Sequence, residues 1–169
     1  MGGTEIKFDA WGLDVCFASS QKCFGIPPGL AIVAVSPRAL ERSAKVVNKG
    51  WYFDFKLFEA DHLKRSSTPM TPTIPQILAL RKELEIIEKE GGKERRFEHY
   101  RERMRRIREG VEALGLSFFP EPGYESPTIA CVNAPAGKTG DQVYEEMRAR
   151  GFELARGYGK LRERTFRIG

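Results

Sequence analysis

A lysine loop between two short apolar segments constrains the fold more than any other feature of the sequence. The segments Asp14–Ala18 and Leu30–Val35 are rich in apolar and β-branched residues, a pattern typical of buried parallel strands. The loop between them carries Lys22 among polar residues, and the rigid turn Pro27-Pro28-Gly29 fixes the return of the chain. The sequence therefore predicts two strands of an α/β layer architecture with a lysine-bearing loop between them.

Helices and a connecting loop are predicted after the second strand. Ser36 is a favourable N-cap, and Pro37 suits the first position of a helix. The segment Thr68–Pro75 alternates Thr and Pro, so it predicts a rigid connecting loop. Apolar residues then recur every three or four positions, which predicts two amphipathic helices interrupted by Gly91 and Gly92. The apolar positions are Ile77, Leu80, Leu84 and Ile87 in the first helix, and Phe97, Tyr100, Met104, Ile107, Val111 and Leu114 in the second.

The last part of the sequence predicts a small α+β unit. Its elements are a strand over Thr128–Val132, a helix over Gln142–Arg150, and strands over Phe152–Ala155 and Arg164–Ile168. The segment APAGKTG (134–140) lies between a strand and a helix, where a phosphate-binding loop would lie, but Val132 replaces the first glycine of a Walker A motif. Thr139 and Gln142 have the spacing of a capping box, which favours a simple helix start.

Composition and charge limit the class of protein. The 169 residues are 41% hydrophobic and 30% charged, which is typical of a globular protein. The longest apolar run, Leu30–Val35, is too short to cross a bilayer, and the sequence begins without an apolar signal segment. The three cysteines match neither a zinc site nor a disulfide framework, and His62 and His99 are the only histidines. We therefore expect a soluble cytoplasmic protein without a metal site.

The basic segment KERRFEHYRERMRRIRE (93–109) raises a second functional possibility. The net charge of the chain is +5, and a basic helix can bind nucleic acid. Glutamates are interspersed at spacings that allow ion pairs with the arginines, and no row of base-stacking aromatic residues accompanies them. A solvated helix face is the favoured interpretation. A non-catalytic basic helical module that binds nucleic acid or an acidic partner stays open as the alternative.

Lys22 is the residue whose position most strongly indicates chemistry. Its loop leaves a predicted strand at the carboxyl edge of the sheet, where open α/β sheets bind ligands. A partly desolvated pocket lowers the pKa of a lysine, because burial disfavours the charged form. The neutral amine is then a nucleophile that forms Schiff bases with carbonyl compounds. The residues by themselves therefore predict a carbonyl-binding lysine.

Three blocks of the sequence resemble one protein family in order and spacing. The blocks are DVCFASSQKCFGIPPGLAIVAVS (14–36), TPMTPTIPQILALRKELEII (68–87) and GFELARGYGKLRERTFRIG (151–169). They resemble the cofactor-lysine segment, the Thr-Pro loop with its interdomain helix, and the small-domain ending of class V aminotransferases, in the branch of the alanine–glyoxylate and serine–pyruvate enzymes. The resemblance implies the pyridoxal-phosphate-dependent transferase fold type I. It also implies amino transfer from a small amino acid such as alanine or serine to glyoxylate or pyruvate.

The resemblance also implies the roles of four residues. Lys22 would form a Schiff base with pyridoxal 5'-phosphate and move a proton between the substrate Cα and the cofactor. Gln21 and Thr73 would bind the cofactor phosphate, and Arg167 would bind the substrate carboxylate through its planar guanidinium. In the family, the Thr-Pro loop reaches the active site of the neighbouring subunit, which implies a homodimer. Without such a role, we would expect Arg167 to be a solvent-facing residue on an edge strand.

The resemblance covers the whole sequence but only the back half of the family pattern. In the family, an aspartate that pairs with the pyridine nitrogen lies just before the Gly-Gly that Gly2 and Gly3 resemble, and the sequence holds no counterpart of it. We expect residues 1–92 to be the end of the large, cofactor-binding domain and residues 93–169 to be most of the small domain. Without the aspartate the cofactor would be a weak electron sink. We therefore expect this chain alone to be nearly inactive and, because of open strand edges, poorly soluble.

Overall fold

Two units, Met1–Glu90 and Gly91–Gly169, make up the structure, a computed structural model that describes all 169 residues. The elements of the first unit are β1 (Val15–Ser19), β2 (Ala31–Val35), α1 (Pro37–Ala44), α2 (Phe55–Arg65) and α3 (Ile74–Lys89). Those of the second unit are α4 (Gly92–Ala113), β3 (Ala130–Asn133), α5 (Gly140–Ala149), β4 (Ala155–Arg156), a short 3-10 helix (Gly159–Leu161) and β5 (Thr165–Ile168). None of the helices is both long and apolar enough to cross a membrane.

The two strands beside the lysine loop are antiparallel, so the prediction of parallel strands is wrong. β1 pairs with β2 so that Val15 lies opposite Val35 and Ser19 lies opposite Ala31. The loop between them reverses the chain directly and contains no helix. Parallel neighbours need a long crossover connection, usually a helix, which this loop does not provide. The apolar composition that indicates strands carries no information about their direction.

One face of this two-stranded sheet is exposed. Val15 and Phe17 on β1 and Val33 on β2 point to the same face, because alternate residues of a strand share a face and Phe17 pairs with Val33. Phe17 is 74% exposed. The residues of the opposite face, including Cys16 and Ile32, are half-buried. The expectation of fully buried strands is therefore wrong within this chain.

The predicted start of α1 is confirmed, whereas α3 begins two residues earlier than predicted, inside the segment Thr68–Pro75 that was expected to be a loop. The Ser36 hydroxyl accepts a hydrogen bond from the amide of Ala39, and Pro37 occupies the first turn of α1. The Thr/Pro segment is irregular as far as Thr73, and α3 begins at Ile74 with Pro75 in its first turn. The sequence pattern did not predict α2, which begins after the N-cap Asp54.

A three-stranded antiparallel sheet and two helices form the second unit. The strand order is β3-β5-β4, so β5 is the central strand. The core contains Met104 and Val111 from α4, Ala130 and Val132 from β3, and Phe166 from β5. Val132 is completely buried. This packing confirms the predicted α+β unit, and it buries the side chain that directly precedes Arg167.

β4 is shorter and begins later than predicted. The sequence predicts a strand over Phe152–Ala155, whereas the strand covers only Ala155–Arg156. The Phe152 amide donates to the Met147 carbonyl at 3.0 Å, and Gly151 adopts a positive φ of 86°. These features terminate α5 in the manner of a Schellman motif. Phe152 therefore completes the end of the helix and does not start the strand.

Candidate lysine and arginine site

The base of the lysine loop is held by a buried serine. Ser20 is completely buried, and its hydroxyl donates to the Pro27 carbonyl at 2.8 Å. The same hydroxyl accepts from the Leu30 amide at 3.4 Å, and the Ser20 amide donates to the Leu30 carbonyl at 3.0 Å. Ile26, near the end of the loop, is buried as well. Both ends of the loop are thus fixed to the strand pair, while the residues between them lie nearer the surface.

Lys22 lies on the exposed part of this loop. Its amide donates to the Ser19 carbonyl at 3.1 Å, and its carbonyl accepts from the Gly25 amide at 2.8 Å. The turn requires a positive φ of 67° at Gly25, a conformation that favours glycine. The Lys22 side chain is exposed and makes no ion pair or hydrogen bond. The expected partly desolvated pocket is therefore wrong within this chain, because only the two ends of the loop are buried.

The beginning of the chain packs against the lysine turn. Gly2 has a φ of 83°, and a Cβ built at this position would lie 3.2 Å from the Cβ of Cys23. Gly3, which follows it, is buried. A side chain at Gly2 would therefore both strain the backbone and crowd the residue that follows Lys22. This close approach explains why the chain carries glycine beside the candidate site.

Thr73 is connected to the lysine loop through Gln76. The Thr73 hydroxyl donates to Oε1 of Gln76, and Nε2 of Gln76 donates to the Pro28 carbonyl at 3.3 Å. Gln76 also lies close to Gly29, where an added Cβ would be 3.2 Å from Nε2. Gln76 was not among the residues predicted from the sequence. The Thr-x-x-Gln spacing of a capping box could have indicated it, although here the two side chains bond to each other.

Arg167 lies on the central strand of the second unit and is half-buried. Its Nε donates to the Arg156 carbonyl at 2.8 Å. The guanidinium makes no ion pair with a carboxylate. The description of a solvent-facing arginine on an edge strand is therefore wrong. The charge of Arg167 is oriented by a neutral carbonyl and is left without a partner of opposite charge.

A charged network lies next to Arg167. The Asp141 carboxylate contacts Nη1 of Arg156 at 3.0 Å and Nε of Arg162 at 2.9 Å. The Arg156 guanidinium also pairs with Glu145 and lies over the Tyr144 ring, 4.0 Å from its centroid. The pairing with Arg156 is the main reason why the pKa of Asp141 lies below its ordinary value, and the hydrogen bond from Arg162 adds to the effect. The same pairing raises the pKa of Arg156.

Replacing Asp141 with Asn is expected to weaken the pH dependence of the second unit's stability. A carboxylate whose pKa is lowered by folding stabilises the folded state above its unfolded pKa of about 3.9, and this stabilisation disappears as the pH falls through the folded pKa. We expect the denaturant midpoint to fall less between pH 6 and pH 3 in Asp141→Asn than in the original chain. Glu163→Gln is the matched control, because Glu163 is exposed in the same unit and makes no ion pair. Equal pH dependence in all three proteins would contradict the assignment.

The basic residues of α4 are largely paired with acids. Arg95 contacts Glu98 at 2.7 Å, and Arg105 contacts Glu109 at 2.6 Å. Further pairs are Arg106 with Glu102 at 2.7 Å and Arg108 with Glu125 at 3.5 Å. This arrangement supports the solvated-face interpretation of the helix. The capping box at Thr139 and Gln142 is also confirmed, with both of its hydrogen bonds present.

The structure distributes the four candidate residues over both units. Gln21, Lys22 and Thr73 belong to the first unit, and Arg167 belongs to the second. Within the first unit, the Thr73–Gln76–Pro28 contacts tie the start of α3 to the loop that carries Gln21 and Lys22. The sequence predicted the four residues separately. The connection through Gln76 is visible only in the structure.

Comparisons with known proteins identify similar sequences and folds. A sequence model of the aminotransferase class-V family matches residues 1–158. The small subunit of a soluble hydrogenase from Synechococcus sp. is 35% identical over 170 residues, which cover 100% of this chain and 44% of that protein. The (S)-ureidoglycine–glyoxylate transaminase of Bacillus subtilis is 29% identical over 190 residues, covering 100% of this chain and 45% of that protein.

Solved structures show the same relationship. The crystal structure of an alanine–glyoxylate aminotransferase from Nostoc sp. matches this chain with a TM-score of 0.88 at 30% sequence identity. The match covers 99% of this chain and 45% of that one. The chain thus spans less than half the length of the relatives that it matches.

Proposed function

Because this chain belongs to the class V aminotransferase family, we propose that it supplies the cofactor lysine and the substrate arginine of a pyridoxal-phosphate-dependent aminotransferase. Its fold is part of fold type I, the fold of the pyridoxal-phosphate-dependent transferases. The proposed reaction moves an amino group from a small amino acid such as alanine or serine to glyoxylate or pyruvate. The two transaminases compared above differ in the amino donor and share glyoxylate, which favours glyoxylate as the acceptor.

The observation that carries the proposal is an unpaired amine on an anchored loop. The Lys22 side chain has no partner, while Ser20 and Ile26 hold the ends of its loop. The Gln21 side chain is exposed beside it, and the Thr73 hydroxyl is linked to the same loop through Gln76. An amine and an amide fit a phosphorylated aldehyde, because the amine would condense with the carbonyl with release of water and the amide would donate hydrogen bonds to phosphate. The Thr73 hydroxyl would donate to phosphate in place of its bond to Gln76. These residues therefore fit pyridoxal phosphate.

Each of the four residues has a distinct role in the proposed reaction. Pyridoxal phosphate, when bound, supplies the aldehyde that takes up amino groups and the ring that withdraws electrons. Lys22 holds and then moves the proton of the substrate Cα as a general base. The Gln21 amide would hold the phosphate by hydrogen bonds, and the Thr73 hydroxyl would join it by exchanging its bond to Gln76 for one to phosphate. Arg167 orients the amino acid by binding its carboxylate with the guanidinium edge that its bond to the Arg156 carbonyl leaves free.

The proposed function also implies a division into two domains, a homodimer and a cellular compartment. We assign residues 1–92 to the large domain and 93–169 to the small domain, within a homodimer of the complete enzyme. The three cysteines are free thiols, which favours a reducing compartment such as the cytoplasm.

The lysine loop and its two strands are open to solvent in this chain. One apolar face of β1 and β2 is exposed, and so is Lys22. Exposed apolar surfaces of this kind indicate a contact with other polypeptide, which we propose is needed for catalysis. We therefore propose that the chain alone has little aminotransferase activity.

Borohydride trapping tests the central role of Lys22. The chain is incubated with pyridoxal phosphate, reduced with borohydride and digested, and the pyridoxyl adducts are mapped by mass spectrometry. We expect on the order of tenfold more adduct at Lys22 than at an ordinary exposed lysine, because nearby groups hold the aldehyde against the amine. Lys45 is the internal reference, since it is also exposed and unpaired in the first unit.

Three variants complete the trapping experiment. Lys22→Arg is expected to remove the dominant adduct, whereas Lys45→Arg is expected to leave it unchanged. Thr73→Val is expected to reduce trapping at low cofactor concentration in the homodimer, because it removes a phosphate donor that one subunit supplies to the other. Labelling of Lys22 and Lys45 to the same extent would contradict the proposed cofactor site.

A further inference from the structure

We propose that Arg156 is a positioning residue for Arg167, which it holds in the orientation that receives a carboxylate. The inference deepens the proposed function and rests on it for the carboxylate role of Arg167. Arg156 acts in two ways at once. Its carbonyl accepts the hydrogen bond from Nε of Arg167, and its side chain attaches the strand that carries this carbonyl to helix α5.

The carbonyl that orients Arg167 belongs to a very short edge strand. β4 contains only two residues, and it pairs with β5 so that Ala155 lies opposite Arg167 and Arg156 lies opposite Phe166. The bond from Nε of Arg167 to the Arg156 carbonyl is 2.8 Å long. A two-residue strand has few backbone hydrogen bonds to hold it in place. Beyond the bond from the Gly157 amide to the Thr165 carbonyl at 3.1 Å, the position of this strand depends on the anchoring of its side chains.

The Arg156 side chain supplies this anchoring through three residues of α5. Nη1 lies 3.0 Å from Oδ1 of Asp141, Nη2 contacts Glu145, and the guanidinium lies 4.0 Å from the centre of the Tyr144 ring. Tyr144 is buried, and its hydroxyl donates to Glu153 at 2.7 Å. Two carboxylates and an aromatic face thus hold one guanidinium from three directions. The strand is fixed to the helix at the residue whose carbonyl Arg167 uses.

This arrangement leaves the outer edge of the Arg167 guanidinium available. Its Nε is occupied by the Arg156 carbonyl, and no acidic side chain pairs with the two terminal nitrogens. A guanidinium is rigid and planar, so fixing Nε also fixes the direction of both terminal N–H groups. Two parallel hydrogen bonds to a carboxylate require such an orientation. Arg156 therefore orders Arg167 in advance and reduces the side-chain entropy that is lost when a carboxylate binds.

NMR of the full chain with ¹⁵N-labelled arginine tests the inference without cofactor or turnover. The Nε–Hε signal of Arg167 is assigned from its loss in Arg167→Lys, and its exchange with water is measured. We expect Arg156→Ala to accelerate this exchange on the order of tenfold, because the carbonyl that protects the hydrogen becomes mobile. Arg156→Lys keeps a positive charge near Asp141 and is expected to restore part of the protection. Arg162→Ala is the matched control, since Arg162 also pairs with Asp141 but does not lie on β4.

Further measurements distinguish a loss of Arg167 positioning from a loss of the fold. Amide signals of β3 and β5 report whether a variant retains the fold, and Asp141→Asn offers a milder loss of anchoring if Arg156→Ala unfolds. Unchanged Arg167 exchange in a folded Arg156→Ala or Asp141→Asn chain overturns the inference. Titration with pyruvate is a separate arm, in which we expect several-fold weaker binding by Arg156→Ala. Absence of any pyruvate shift at Arg167 in the original chain counts against the proposed function, while the exchange data still decide whether Arg156 positions Arg167.

Discussion

Replacing Gly140 with alanine is expected to destabilise the second unit by about 3 kcal/mol or more, because the new methyl group has no space. A Cβ at Gly140 would lie 2.0 Å from the carbonyl oxygen of Thr165 and 2.8 Å from that of Arg162. Both obstacles are backbone atoms, so a side-chain rotation cannot relieve the clash. The Gly140 amide also donates to the Glu163 carbonyl at 2.7 Å. The start of α5 or the strand that carries Arg167 would have to move.

Gly110→Ala is the matched control for this prediction. Gly110 also lies in a helix of the second unit, but a Cβ there would meet nothing within 4 Å. Alanine at this position is expected to stabilise the unit by about 0.5–1 kcal/mol, because it favours the helical backbone. Hydrogen exchange measured on peptides of the second unit gives both changes. Trp11 and Trp51 lie in the first unit, so their fluorescence reports on that unit separately. Equal effects of the two substitutions would contradict the close contact at Gly140.

Replacing Phe166 with alanine is expected to cost about 3–5 kcal/mol, since it removes a large buried side chain and leaves a cavity. Phe166 is 5% exposed and belongs to the core formed by α4, β3 and β5. It directly precedes Arg167 on the central strand. Many domains are stable by only 5–15 kcal/mol, so this loss would unfold much of the unit in moderate urea. Amide NMR intensities of β5 followed against urea concentration measure the effect.

Phe152→Ala provides the comparison for Phe166→Ala. Phe152 lies in the same unit and is 60% exposed. Its truncation is expected to change the stability by about 0.5 kcal/mol or less, as is usual for surface positions. We also expect Phe166→Ala to disturb the Arg167 signals at urea concentrations where Phe152→Ala does not. A similar loss of stability in both variants would show that the assigned core is wrong.

Features that depend on neighbouring residues could be predicted from the sequence. Ser36 and Pro37 define the start of α1, and Thr139 with Gln142 defines the start of α5, because each cap is completed within three residues. The amphipathic period of α4 identified Met104 as a core residue. In contrast, α2 was missed although Asp54 caps it, because its apolar residues do not follow a regular stripe.

The features of the candidate site could also be predicted only in part from the sequence. Lys22, Gln21, Thr73 and Arg167 were identified by motifs, and their functional roles stay predictions. The exposure of Lys22 could not be predicted, because burial depends on which distant segments cover the loop. The contacts of Arg156 with Asp141 and Arg167 could not be predicted either, since they join residues 15 and 11 positions apart through the packing of a helix and two strands.

The sequence by itself determined the family, the order of the main helices and strands of the second unit, and the caps at which α1 and α5 begin, because these depend on motifs and on interactions between near neighbours. The tertiary structure alone decided the antiparallel direction of β1 and β2, the exposure of Lys22 and the orientation of the Arg167 guanidinium. These features depend on hydrogen bonds and contacts between residues far apart in the chain. Residue types and their spacing do not specify such contacts until the chain is folded.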